Sequence, residues 1–324
     1  MTLSMDFKDI VAVVADDFAA VDIFIQESLQ SQVTLVNEVG RYIVQSGGKR
    51  LRPLVCLLTA RACGYEGRQH IDVAAIIELL HTATLLHDDV VDDSALRRGR
   101  ATANARWDNP TAVLVGDYLI SKAFQLVVSL RNTAVMDIMS AGTCVIAEGE
   151  VLQLINQRDP DTTEDRYMDV IYGKTAKLFE TAAESGASLG DPALQATCAA
   201  YARHLGAAFQ IIDDVLDYTS SAEIMGKNVG DDLAEGKPTL PLIQAIKVAT
   251  PAEADLIREA IKTGGLERLD EIIAIVQRSG ALEYTQERAR MESQLALQSL
   301  EPLPDSTYKT ALENLTHLAL ARNS

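Results

Sequence analysis

Apolar residues recur every three to four positions along most of the chain, and runs of strict alternation are scarce. Spacing of that kind predicts helices and very little sheet. The stretch DVAAIIELLHTATLLHDDVVDD (72–93) holds neither Gly nor Pro, so it reads as one long, largely buried helix ending near Ser94. NPTAVLVGDYLISKAFQLVVSL opens another, with Asn109 as N-cap and Pro110 in the first helical position, where a missing N–H leaves nothing unsatisfied. Asp191 with Pro192, and Thr250 with Pro251, start two further helices in the same way. Helices of about 12 to 28 residues thus follow one another through short loops. No loop is long enough to serve as an interdomain linker, and the expected fold is an all-α bundle in a single domain over residues 1–324.

The formal net charge is −17, and no basic face emerges from the spacing, which excludes non-specific nucleic-acid binding. Cys56, Cys63, Cys144 and Cys198 form no CxxC pair and lie in apolar, helix-like stretches, which reads as buried free thiols in a reducing compartment. MTLSMDFKDIVAVVADDF lacks the basic stretch and unbroken apolar core of a secretion signal. No run approaches the roughly 18 uncharged apolar residues of a membrane span. A soluble, cytoplasmic protein is expected, with room for transient membrane contact.

Candidate chemistry starts at LLHDDVVDDSALRRGR (85–100), which sets four aspartates on an apolar run and follows them with three arginines. The pattern Asp88-Asp89-x-x-Asp92 returns as Asp213-Asp214-x-x-Asp217. Residues four apart share a helix face, so Asp88 points with Asp92, Asp89 with Asp93, and Asp213 with Asp217. Each like-charged pair costs a helix roughly 0.2–0.5 kcal/mol. A bound cation would offset that cost, and all-oxygen ligands favour Mg²⁺ or Ca²⁺. The Ca²⁺-loop pattern is missing, whereas Mg²⁺ commonly combines one or two carboxylates with substrate phosphates. Such clusters would hold a diphosphate through metal bridges, and Arg97 and Arg98 could reach the phosphate oxygens that the metals leave free.

GGKRLRP (47–53) brings Lys49, Arg50 and Arg52 behind paired glycines, which suits a second anion held without metal. YGKTAKLFE adds Lys174 and Thr175, inside a helical pattern and without the upstream Gly of a P-loop. MGKNVGDDLAEGKPTLPL adds Lys227, Asp231, Asp232 and Lys237. His81 lies two turns before Asp88 on the same face, and Gln210 stands three residues before Asp213. A lone helical His is more often a satisfied core residue, and a basic loop more often a solvated one. The spacing by itself leaves both readings standing.

As a set, GGKRLRP, LLHDDVVDDSALRRG, GKTAKL, FQIIDDVLDY and GKNVGDDLAEGKPTLPL occur in one order and spacing. In these motifs, and over nearly all its length, the chain resembles the trans-isoprenyl diphosphate synthases, the head-to-tail polyprenyl synthetases. ELLHTATLLHDDVVDDSALRRGRATAN is similar to the long-chain members that make quinone side chains. The resemblance implies a helical fold around a central cavity, a homodimer, and three Mg²⁺ ions on the diphosphate of the allylic substrate. Asp88 and Asp92 would ligate two of them and Asp213 the third, with Asp217 close by through water. Arg97, Lys174, Thr175, Gln210, Lys227 and Lys237 match positions that touch the allylic prenyl diphosphate. Lys49, Arg52, His81 and Arg98 match those that hold isopentenyl diphosphate. Asp93 is an additional acid, expected to support rather than ligate.

Ile77, Leu80, Ala83 and Thr84 lie towards one side of the helix before Asp88. In relatives that stop early, an aromatic four or five places before the motif acts as a floor for the growing tail. Ala83 and Thr84 are small, so a long product is expected. An Asp-rich terpene cyclase would not need the GGKRLRP anchor, and a silent partner subunit would be expected to lose one motif.

Overall fold

The computed structural model describes residues 5–45, 47–219 and 230–321. Its helices are α1 (Phe7–Ala12), α2 (Ala15–Ser28), α3 (Thr34–Val44), α4 (Leu51–Ala62), α5 (Gln69–Val91), α6 (Ala103–Arg106), α7 (Asn109–Ser129), α8 (Thr133–Asn156), α9 (Glu164–Ile171), α10 (Lys177–Ser188), α11 (Gln195–Leu216), α12 (Asp231–Ala234), α13 (Leu240–Val248), α14 (Pro251–Thr263), α15 (Leu269–Arg278), α16 (Ala281–Ser299) and α17 (Thr307–Leu320). The only sheet among the described residues is the hairpin of β1 (Leu96–Arg97) and β2 (Arg100–Ala101). The expected all-α class is therefore what the chain adopts. The hairpin left no sequence signal because two-residue strands are too short to alternate.

Local chemistry explains where these helices start and stop. Thr250 and Glu253 close a capping box at α14, and Gly264 ends that helix in the left-handed conformation at φ 79°. At α7 the cap moves one residue from the expected Asn109: Asp108 accepts from Thr111 N at 2.7 Å, leaving Asn109 and Pro110 inside. An aspartate there adds its negative charge to the positive end of the helix dipole. α5 ends earlier than expected. Asp92 is its C-cap, Asp93 turns left-handed at φ 50°, and the N–H groups of Asp93 and Ser94 donate to Val90 O and Asp89 O. This is a Schellman closure with Asp where Gly is usual. Asp93 is thereby spent on the turn, and Asp89 and Asp93 do not share a face.

The chain divides into two compact units. The first comprises Met1–Gly142, Leu178–Ala202 and Ser299–Leu315. There α5 packs against α2, α4 and α7, burying Leu54, Leu57, Leu58, Ile76, Leu79 and Leu86. Cys56, Cys63 and Cys198 are buried free thiols as expected, with Cys63 and Cys198 sulfurs 3.6 Å apart.

The second unit comprises Thr143–Lys177, Arg203–Gln298 and Thr316–Ser324. Two apolar clusters fill it, one around Val215, Ile257 and Ile272, the other around Tyr167, Ile211 and Ile243. Cys144 is exposed, contrary to expectation: α8 turns apolar residues such as Val151, Leu154 and Ile155 outward too, so an apolar neighbourhood in sequence did not mean burial there. Both α7 and α8 are long and apolar enough to cross a membrane, though Asp117 and Lys122 interrupt the first and Asp137, Glu148 and Glu150 the second.

Between α9 and α10, residues Tyr172–Ala176 form a π-helix. It lies so near α8 that a Cβ at Gly149 would meet Gly173 C at 2.6 Å and Lys174 N at 2.7 Å. An ordinary helical Gly→Ala exchange stabilises by about 1 kcal/mol. Here the obstacle is backbone that cannot swing aside, so Gly149→Ala is expected to destabilise the fold by about 1–3 kcal/mol. Urea unfolding midpoints check this, and an unchanged or raised midpoint would refute the close packing.

Candidate active site

In the first unit the aspartate motif occupies the last turn of α5. Asp88 and Asp92 are half-buried and stand where the helix already carries partial negative charge. Asp89 turns inward. It is buried, Arg97 Nε donates to its Oδ1 at 2.7 Å, and burial raises its carboxyl while Arg97 pulls the other way. Arg97 therefore ties β1 to α5 as well as facing the pocket.

The basic anchor surrounds the same helix end. Gly47 and Gly48, both at positive φ, let the chain pass beneath the Arg98 guanidinium, which donates to Gly47 O. Arg50 sits left-handed at φ 48° and pairs with Asp22. Arg52 stacks 4.4 Å from the Phe179 ring centre and donates to His81 Nε2 at 3.3 Å. Burial lowers Arg52 to about 10, so it stays charged at neutral pH. Burial, and then Arg52, Arg98 and Arg97, hold the His81 imidazole well below its usual range, so it is neutral and accepts through Nε2. Lys49 is exposed, its Nζ 5.8 Å from the Phe7 ring centre. One pocket is lined by Gly47, Arg50, Glu78, Asp89, Arg97 and Arg98. Glu78 was not singled out from sequence. It is raised by burial, with Arg50, Arg52 and Arg98 acting against that rise. Its signal was a lone acid in the apolar run VAAIIELL.

Ile77, Leu80 and Ala83 are buried, and Thr84 is half-buried with its hydroxyl donating to His81 O at 2.8 Å.

In the second unit Asp213 is half-buried on α11, while Asp214 is 3% exposed. Tyr167 OH donates to Asp214 Oδ2 at 2.6 Å, and Gln210 Nε2 to Oδ1 at 2.8 Å. Thr175 Oγ1, on the π-helix, donates to Gln210 Oε1 at 2.9 Å. Gln210 thus reaches the acid four residues on, not Asp213 as its spacing of three had pointed to. Burial, with Asp232 nearby, pushes the Asp214 carboxyl up to about 7. Lys174 Nζ meets Glu150 Oε2 at 2.6 Å, and Lys237 pairs with Glu235. Asp217 is 0% exposed and accepts from Asp232 N at 3.4 Å, so it holds the start of α12 from below. Lys227 lies outside the described residues. Tyr167 and Glu150 are site residues that no motif contained.

The acidic donors are oxygens, as a hard divalent cation requires. Among the described residues, no three His, Cys, Asp or Glu side chains gather into a cage. A cation here would complete its shell from outside the protein, which fits Mg²⁺ shared with a diphosphate.

Known proteins match this arrangement over their whole length. An all-trans-nonaprenyl-diphosphate synthase (geranyl-diphosphate specific) from Rhodobacter capsulatus is 58% identical over 99% of both chains. An octaprenyl diphosphate synthase from Escherichia coli (strain K12) is 50% identical over 98% of this chain and 100% of the other. Among solved structures, a polyprenyl synthase from Caulobacter crescentus CB15 complexed with calcium and isoprenyl diphosphate superposes with a TM-score of 0.95 at 38% identity over 99% of both chains. A decaprenyl diphosphate synthase from Rhodobacter capsulatus gives 0.93 at 41% identity, covering 98% of this chain and 100% of that one. With residues 33–277 matching the family profile as well, the chain belongs to the polyprenyl synthetase family and is a prenyltransferase.

Proposed function

We propose that the protein is a long-chain all-trans polyprenyl diphosphate synthase, condensing isopentenyl diphosphate head-to-tail onto an allylic diphosphate. The observation that carries this reading is the Arg52–His81–Arg98 anchor, a site beside the first aspartate motif in which several guanidiniums share the single carboxyl of Glu78. It suits a second diphosphate held without metal.

The roles follow from charge. Mg²⁺, three ions by family analogy, would supply positive charge against the departing diphosphate when bound. Asp88, Asp92 and Asp213 supply its oxygen ligands, with Asp217 in support. Arg97, Lys174, Thr175, Gln210, Lys227 and Lys237 hold the allylic diphosphate, and Lys49, Arg52, His81 and Arg98 hold isopentenyl diphosphate. Neutral His81 suits this work, since it can keep Arg52 in place without adding a charge that must be desolvated. The double bond of isopentenyl diphosphate, anchored beside the allylic group, is placed to attack the allylic cation. Loss of the C2 proton to the released diphosphate completes the step, and no side-chain nucleophile takes part.

Relatives named nonaprenyl, octaprenyl and decaprenyl diphosphate synthases support a product of roughly C40 to C50, too long for the ~24 Å of helix between Asp72 and Asp88 if extended. Such a product suits a quinone side chain, made in the cytoplasm and released with help from a membrane surface.

Supplied with Mg²⁺, isopentenyl diphosphate and an allylic primer, the protein should yield linear polyprenyl diphosphates. Asp88→Ala and Asp213→Ala should each cut turnover by several orders of magnitude while the protein stays folded. Near-normal turnover of Asp213→Ala would remove the metal assignment, and a cyclic hydrocarbon product would remove the reaction. Ala83→Phe should shorten the product to about C15 or C20 without stopping the first condensation. Mass analysis of the dephosphorylated chains decides it, and an unchanged length would mean that the tail does not pass Ala83.

On α7, Leu114 is 66% exposed, and Val113 and Val128 also face outward. A second copy of the chain would cover such a face, in keeping with a homodimer. Light scattering in dilute solution should give twice the single-chain mass, and a single-chain species alone would dispose of the dimer.

A further inference from the structure

The hydrogen bonds of the second unit form a line whose two ends lie on one segment. Tyr167 belongs to α9 and Thr175 to the π-helix that follows it directly, while Gln210 and Asp214 lie one turn apart on α11. The line runs from Tyr167 OH to Asp214, from Asp214 to the Gln210 amide, and from the amide to Thr175. Together with the two stretches of backbone it closes a ring.

Each link constrains the next. Both oxygens of Asp214 accept, Oδ2 from Tyr167 and Oδ1 from the NH₂ end of Gln210. Gln210 Oε1 is then the end that meets the Thr175 hydroxyl. Of the two amide hydrogens, one goes to Asp214 and the other is available to an outside acceptor. The last torsion of an aspartate is soft, so Gln210 alone would leave the carboxylate able to rotate. The Tyr167 hydroxyl, 2.6 Å from the other oxygen, prevents this. Tyr167 is itself rigid, being 4% exposed and packed with Ile171, Ile211, Ile212 and Leu240. Phenylalanine would pack as well in that cluster. A hydroxyl buried there is worth its desolvation only through the bond it makes.

We propose that Tyr167 is a positioning residue for prenyl transfer, which fixes Asp214 and, through it, the orientation in which Gln210 and Thr175 meet the allylic diphosphate. This rests on the reading of Gln210 and Thr175 as allylic-diphosphate contacts given above. Tyr167 is not among the residues assigned above to either substrate. Its hydroxyl acts two links away, and the Asp214 backbone that it steadies also carries Asp213.

The test is a double-mutant cycle on the full chain with Mg²⁺, isopentenyl diphosphate and farnesyl diphosphate. Tyr167→Phe and Thr175→Val should each raise KM for farnesyl diphosphate roughly tenfold. KM for isopentenyl diphosphate should stay where it is. The double variant should be little worse than either single one, because both cut the same line. Should Tyr167→Phe fail to fold, Asp214→Asn removes the neighbouring link and takes its place in the cycle. A purely structural tyrosine would lower the thermal midpoint and leave the farnesyl diphosphate KM unmoved, or its effect would multiply with that of Thr175→Val. Either result overturns the proposal. Failure of the unaltered chain to elongate farnesyl diphosphate would instead overturn the functional reading beneath it.

Discussion

Negative charge gathered at the C-terminal end of α5 is the constraint around which the first unit is arranged. Three aspartates close this helix at the end where its carbonyls already point outward, and Asp93 follows in the turn. The protein deals with each acid differently. Asp89 is turned inward and bound by Arg97. Asp93 is placed in a left-handed turn that redirects the chain. Asp88 and Asp92 keep the half-exposed positions from which a cation can be held. The hairpin carrying Arg97 and Arg98 exists because that turn sends the chain back over the helix end, and Gly99 and Arg98, both at positive φ, fold it in two residues.

The basic side shows that cationic residues need not act as free charges. Arg52 is stacked on Phe179 and held by His81, and Glu78 lies among three guanidiniums. The histidine's neutrality comes first from its burial and then from the arginines, since a protonated ring would face three like charges. The clustered guanidiniums are therefore kept stable by one buried acid, one neutral base and one aromatic ring.

Much of this was legible in the chain. Helical periodicity, the proline starts and the five motifs gave the fold class and the family, and named the residues proposed for the site. The rest was hidden for physical reasons. The Asp108 cap and the Asp93 turn differ from their neighbours only in backbone angle, and spacing says nothing about angles. Cys144 lies in an apolar stretch whose outward face no single helix reveals. Tyr167 is far from Asp214 in sequence and belongs to no motif, so its hydrogen bond is a tertiary fact. The π-helix looked like an ordinary helical segment because one extra residue per turn barely alters the apolar pattern.

That extra residue makes the segment sensitive to length in a way composition does not express. A π-turn holds an additional residue over nearly the same rise, and an α-helix advances about 100° per residue. Deleting any one residue between Tyr172 and Ala176 would allow a regular α-helix and at the same time rotate the Lys174 and Thr175 positions away from Glu150 and Gln210. Substitutions there change a side chain, whereas a deletion changes the phase of everything the segment presents. Evolution of this stretch should therefore resist a change in the number of its residues as well as in the identity of Gly173, Lys174 and Thr175.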